Sequence, residues 1–292
     1  MSNPGLVLLA VVVIIAVVLL AVHIGFRAPR RIERSSPADY GLTYEEIHIH
    51  TTAGKQLFAW WLPASLSAPT LIILHGWGGN AELMLPLALP MYRAGLNVLL
   101  LDARNHGRSD SASFSSLPRF AEDAGAAVDW VRVHSRDPQK RVVLLGHSVG
   151  AGAVLLEASR RNDIAAVISI AAFAHPEWMM QRYLDRFRIP GLFKSWILRY
   201  VEWVIGYRFA DIAPMNTVCR IHCPVLLVHG TADETVPVTD AQVIRENCRE
   251  NRPEVLLIEG GRHDSVEDIE HHADQLIAFL ARTMGTSTHA GL

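Results

Sequence analysis

Short apolar runs recur along the chain with room for a helix between successive ones: Leu71–Leu74, Asn97–Leu101, Val142–Leu145, Ala165–Ile170, Val225–Val228 and Val255–Ile258. They are rich in Val, Ile and Leu and do not alternate with polar residues, the pattern of strands buried on both faces. Helix-period patterns such as Arg119–His134 and Val238–Arg249 lie between them. Ahead of them, Glu45–Thr51 and Gln56–Leu62 read as an antiparallel opening hairpin that turns at Gly54. The fold class this predicts is α/β, a mostly parallel central sheet flanked by helices. No internal repeat or low-complexity segment interrupts it.

Two segments break the alternation. Residues 173–218 are far longer than one crossover helix and are dense in aromatic residues, with Arg182, Arg186, Arg188, Lys194, Arg199 and Arg208 between them. Pro190-Gly191 divides this stretch into two helical pieces. A helical cap insertion over a site is expected, its apolar residues lining an acyl pocket and its basic ones near anionic headgroups. The plainer reading is a helical insertion packed on the domain. At the other break, Gly5–Phe26 carries no charged side chain except His23 when protonated, and Leu6–Val22 is almost wholly Val, Leu, Ile and Ala. About 20 such residues cross a ~30 Å hydrocarbon core. With no Lys or Arg before residue 27 and no small-x-small exit, a retained N-terminal transmembrane helix is expected rather than a cleaved signal peptide. Arg27, Arg30, Arg31 and Arg34 follow it at once, so the positive-inside tendency puts the remaining domain on the cytoplasmic face of a single-pass membrane protein, with a periplasmic or extracellular domain as the alternative. The expected division is an anchor at 1–26, a basic linker at 27–44, an α/β domain at 45–285 with its insertion at 173–218, and a tail at 286–292.

Composition narrows the chemistry. A net charge of −2 across 292 residues, with both signs mixed, argues against a nucleic-acid surface. Gly76, Gly78 and Gly79 follow a strand, but the dinucleotide pattern and its downstream acid are missing, so no dinucleotide-binding loop is expected. The cysteines Cys219, Cys223 and Cys248 make no even framework, as expected of a reducing compartment, and Cys219 and Cys223 are expected as core thiols. Cys219 and Cys223 flank His222, too few ligands for zinc, and no metal site is expected.

The stretch Arg141–Glu157, RVVLLGHSVGAGAVLLE, carries the chemistry. An apolar run stops at Gly146-His147-Ser148-Val149-Gly150 and a small-residue helix begins, which is G-x-S-x-G in its required strand–turn–helix context. Such a turn strains the serine backbone, demands glycine two positions either side, and aims the Ser148 hydroxyl at a helix N-terminus. A hydroxyl needs a base, and the base an orienting group. Asp233 follows the strand at Val225–Val228 and His263 follows the one at Val255–Ile258, both at the sheet edge where sites collect. Asp233 could instead cap a turn, with Glu234 or Asp240 as the acid, and His263 could be a solvated loop residue; His271 and His272 fall in the final helix pattern. Oxyanion donors are expected from the Trp77 and Val149 N–H groups, each worth ~3–4 kcal/mol. His75, Gly76 and His147 are assigned to the substrate pocket, with bracing of the loop as the plainer role of His75.

With Ser148 in GHSVG, Asp233 in HGTADETVP, His263 in GGRH and the HGWGG loop at 75–79, the chain resembles the α/β-hydrolase superfamily over roughly residues 45–284. The run Asp102–Ser109 is similar to that family's D-x-R-G-x-G-x-S turn, with Asn105 where glycine is common. The nearest likeness is to monoacylglycerol lipases, acylaminoacyl-type peptidases and small bacterial esterases. The resemblance implies cofactor-free hydrolysis of an ester, thioester or amide, and a small-molecule or lipid-like ester is the expected substrate. A peptidase of the acylaminoacyl or prolyl type, a thioesterase and an acyltransferase share the same residues. A membrane-tethered scaffold with a hydrolase fold is the non-enzyme alternative.

Overall fold

The computed structural model describes residues 4–248, 250–264 and 270–284. Among them an eight-stranded sheet runs in the order β1-β2-β4-β3-β5-β6-β7-β8. Its strands are β1 (Glu45–His50), β2 (Gln56–Leu62), β3 (Thr70–Leu74), β4 (Asn97–Leu101), β5 (Val142–His147), β6 (Ala166–Ile170), β7 (Val225–Gly230) and β8 (Glu254–Ile258). The opening hairpin is antiparallel and pairs antiparallel with β4; every later pairing is parallel. Burial of β3 through β7 on both faces explains their unbroken apolar runs.

The pleat divides those strands between two cores. Ile72 and Leu74 face α3 (Leu117–His134), α4 (Val149–Ala158) and α9 (Thr239–Glu246), where Phe120, Val154 and Ile244 close the layer. Leu71 and Ile73 face α2 (Leu85–Arg93) and α10 (Ala273–Met284), meeting Met91, Leu276 and Phe279. Helix α9 is shorter than its pattern, and His271 and His272 lie in the turn before α10. Because the strands are parallel, the loops after β3, β5, β7 and β8 all emerge at one edge.

Between β6 and β7 the chain forms α5 (Pro176–Arg186), α6 (Gly191–Ile205) and two single-turn helices, α7 (Phe209–Ile212) and α8 (Pro214–Thr217). The break falls at Pro190, the N-cap of α6. Ile197, Leu198, Val201 and Phe209 make a small apolar cluster of their own, with Phe26 packed against it.

Two expectations need correction. The cysteines are not all thiols: Cys219 is disulfide-bonded to Cys248, and Cys223 alone is free. The short 3-10 turn Val218–Arg220 lies beside the end of α9, where Asn247 Nδ2 donates to Met215 O at 2.8 Å, bringing the two Cα atoms within 5.2 Å across a sequence separation of 29. The N-terminal segment is a helix, α1 (Pro4–Gly25), but among the described residues no helix is long and apolar enough to cross a membrane. The transmembrane reading therefore gains no support from the fold. The C-terminal end of α1 instead touches the domain: the His23 ring meets Phe114 at 6.5 Å, and His23 and Phe26 face Tyr200, Val201, Val204 and Ile205 of α6.

Candidate active site

At the C-terminal end of β5 the chain turns into α4 within one residue. Ser148 occupies that corner with φ 54 and ψ −116, a strained conformation for a non-glycine residue. Its N–H donates to Ile170 O at 2.9 Å, which fixes the corner to β6. The flanking glycines are demanded by contact. A Cβ on Gly146 would lie 2.2 Å from Gly150 O, and one on Gly150 would lie 2.4 Å from His75 O. The helix can thus start directly against the strand it follows.

The loops after β7 and β8 bring the other two residues to this corner. His263 Nε2 lies 2.9 Å from Ser148 Oγ, and His263 Nδ1 lies 2.7 Å from Asp233 Oδ2. Asp233 is buried, and its Oδ1 accepts the Thr235 and Val236 N–H groups, both at 2.8 Å. Burial alone would raise its pKa, but hydrogen bonds from His229 and His263, with the Val236 amide, outweigh that and hold the carboxyl well below the usual carboxylate range. An ionised Asp233 accepts the Nδ1 proton of His263, which leaves Nε2 free to receive the Ser148 proton. Asp233 therefore meets His263 while also ordering its own turn; Glu234 is exposed, and Asp240 pairs with Arg182 at 2.8 Å.

The loop after β3 lies across the serine. A Cβ on Gly76 would be 3.2 Å from Ser148 Cβ and 3.0 Å from His147 Nδ1. Trp77 is next in this loop, and Val149 opens α4. Among the described residues neither of their backbone N–H groups has an acceptor, so both can serve an oxyanion formed at Ser148. His75 sits behind the loop, fully buried, with Nδ1 2.7 Å from Gly76 O and Nε2 accepting the Ala103 N–H. It is a brace and offers substrate no surface. His147 is also buried, and its Nε2 lies 2.8 Å from His263 O. That carbonyl can only accept, so the imidazole donates and ties the histidine loop to the serine corner. Burial, then the neighbouring His263, pushes the His147 pKa down to about 4.

Beneath the loop, Asp102–Ser109 forms a compact turn. Asp102 accepts the Ala81 and Arg108 N–H groups at 2.8 and 2.9 Å, and a Cβ on Gly107 would strike its carboxylate at 1.9 Å. Asn105, where the resembling family has glycine, takes φ 71 and accepts the Ala112 N–H, a conformation asparagine tolerates. His106 accepts the Gly78 N–H at 3.1 Å. Sequence reasoning missed His106 and His229 as supports, although both fall inside quoted motifs, because a motif does not name a side chain's partner; it also missed residues 26–35, which lie over the loop and carry no local motif.

A family model described as serine aminopeptidase, S33, matches residues 67–217. The chain belongs to that family. It is an α/β hydrolase. Among its relatives, YfhR of Escherichia coli K12 is 27% identical over 249 residues, covering 81% of this chain and 80% of that one. The α/β hydrolase domain-containing protein WAV2 of Arabidopsis thaliana is 25% identical, over 77% of this chain and 73% of its own. Among solved structures, the Pyrococcus furiosus esterase Pf2001 superposes with a TM-score of 0.73 at 25% identity, covering 88% of this chain and 97% of that one. The matched residues of the S33 family include Ser148 but end before Asp233 and His263.

Proposed function

We propose that the chain is a serine hydrolase that cleaves carboxylic esters, with an acyl chain or another apolar group in the substrate, through an acyl-enzyme. The observation that carries this reading is the linear relay from Asp233 Oδ2 through His263 to Ser148 Oγ, with separations of 2.7 and 2.9 Å. Ser148 Oγ attacks the ester carbonyl carbon as His263 Nε2 takes the hydroxyl proton. The resulting oxyanion lies between the Trp77 and Val149 N–H groups. Collapse breaks the bond to the alcohol, which leaves with the proton from His263. Water then attacks the acyl-serine, gives its proton to the same nitrogen, and releases the carboxylic acid and a restored Ser148.

An esterase among the similar structures favours esters, whereas the family description names aminopeptidases. An aminopeptidase uses the same relay but needs a carboxylate facing the substrate amine. The deciding experiment labels the chain with a fluorophosphonate and compares p-nitrophenyl esters of rising acyl length with aminoacyl p-nitroanilides. Labelling at Ser148 and faster ester turnover are expected. Faster anilide cleavage makes the protein a peptidase, and a folded chain that never labels at Ser148 is no serine hydrolase.

We further propose that α1 anchors the domain to a bilayer, with the α5–α6 insertion lying against it. In support, α1 is a 22-residue helix without an acidic residue, and Leu192, Phe193 and Trp203 of α6 are exposed beside Arg188, Lys194 and Arg199. The Cys219–Cys248 bond favours an oxidising compartment for the domain, opposite to the cytoplasmic face expected from Arg27–Arg34. Charge reversal at Arg186, Arg188 and Lys194 should weaken binding to anionic vesicles; unchanged flotation removes the insertion from the membrane.

A further inference from the structure

The segment between α1 and β1 does not hang free as a linker. It runs along the outer side of residues 77–82, the loop that presents the Trp77 N–H. The Phe26 ring stands edge-on to the Trp77 ring, centroids 6.5 Å apart and planes at 85°. Pro29 is seated on Gly78, whose φ is +70 and whose missing Cβ would lie 3.1 Å from Pro29 Cγ. Asn80 Nδ2 donates to Arg31 O at 3.3 Å. The Glu82 carboxylate accepts the Arg34 and Ser35 N–H groups at 2.8 and 3.1 Å. The segment is itself held at its start and middle: Phe26 O accepts the Ser115 N–H at 2.9 Å, and Arg30 donates to Gly107 O and Ser109 O at 3.1 and 2.8 Å.

These contacts have one consequence for chemistry. The inner side of the loop rests on fixed supports, with Gly78 N–H on His106 and Gly79 N–H on Gly76 O. Against residues 77–82 the segment adds Phe26, Pro29, the Arg31 carbonyl and the Arg34 and Ser35 N–H groups. Trp77 is 40% exposed, and two rings stand edge-on to its own: His106 at 6.2 Å, and Phe26 of the segment. A donor contributes to catalysis only when it already points at the developing charge, and a loop free to swing outward would lose that alignment. Phe26 also packs against the cluster of Ile197, Leu198 and Val201 of α6 with Phe209 of α7. It is therefore the point where the insertion, the N-terminal segment and the oxyanion loop meet.

We propose that residues 26–35 form a positioning collar for the oxyanion hole, with Phe26 holding Trp77 so that its backbone N–H stays aligned with Ser148. The proposal rests on the hydrolase reading above, and it makes Phe26 a positioning residue for the transition state rather than a substrate contact.

The test uses the full chain with Phe26→Ala, Phe26→Leu and Phe26→Tyr. Active sites are titrated with a fluorophosphonate, and each variant is assayed for kcat, KM and inhibition by a small alkyl boronic acid, whose tetrahedral adduct places an oxygen in the hole. Phe26→Ala should lose 10- to 100-fold in kcat per titrated site, with KM within twofold and boronic acid affinity falling in parallel. Phe26→Tyr, which keeps the ring, should restore the wild-type values. A residue that only stabilises the fold would lower the melting temperature and leave kcat per titrated site unchanged. If Phe26→Ala does not fold, Phe26→Leu decides by the same split, with a loss of three- to tenfold expected. Ester turnover in the wild type with kcat held within threefold in the variants overturns the collar and leaves the hydrolase reading intact. A wild type that neither labels nor turns over ester overturns both.

Discussion

Each residue of the relay answers to a different physical demand, and the variants should separate them. Ser148→Ala or His263→Ala removes the proton transfer and should cost on the order of 10⁴–10⁶ in kcat, leaving the contribution of binding and the oxyanion donors, measured on a p-nitrophenyl ester. Asp233→Asn keeps the shape but reverses the hydrogen bond to His263 Nδ1, and a loss of roughly 10⁴ is expected. The buried histidines set a pH dependence of stability. Burial lowers the pKa of His75 to about 3, and that of His106 and His147 to about 4. A histidine depressed in the folded state binds its proton first in the unfolded chain, so its stabilising contribution is complete above the unfolded pKa of about 6.5 and is lost as pH falls through the folded value. Urea midpoints should therefore drop as pH falls from 6.5 towards 4. His147→Gln should flatten that slope while keeping a donor for His263 O. A slope unchanged in the variant would mean that His147 is not among the groups responsible.

At the scale of elements, the turn from β5 into α4 is where the sequence speaks most clearly, because its demands are local. Gly146 and Gly150 lack side chains because the backbone atoms of the turn and of β3 occupy the space. Gly146→Ala should cost more than ~4 kcal/mol or prevent folding altogether, since the obstruction is backbone that cannot move aside. Circular dichroism and chemical denaturation would show this, and a folded, active Gly146→Ala chain would contradict the packing described. Asp233 and His263 were legible for a related reason: each follows an apolar run, and parallel strands deliver such positions to one edge. What stayed hidden was contact between segments with no shared pattern. Nothing in Phe26 announces Trp77, and nothing in Cys219 announces Cys248. The role of His147 was hidden in another way, since a motif names the position but not the partner, and its partner is a backbone carbonyl.

For the whole molecule, the Cys219–Cys248 bond joins the end of the insertion to the helix that follows the Asp233 loop. It closes a loop with a sequence separation of 29 that contains β7 and Asp233 itself. Restricting an unfolded loop of that length is worth about 3–4 kcal/mol on the chain-entropy argument. For a domain of this size each kcal/mol moves the melting temperature by roughly 2–4 °C. Reduction, or Cys219→Ser with Cys248→Ser, should thus lower the midpoint by about 10 °C. Because Cys219 leads into β7 at the end opposite to the Asp233 loop, and neither cysteine contacts the relay residues, kcat at 25 °C should stay within about twofold. Cys223, half-buried with its thiol pKa pushed up to about 11 by burial, is a poor competitor for either sulfur, since the thiolate is the reactive form. The native chain should accordingly yield one slowly reacting thiol, and the reduced chain three. A chain isolated from its source cells that presents three thiols before reduction would place the domain in a reducing compartment, in line with the cytoplasmic placement expected from Arg27, Arg30, Arg31 and Arg34.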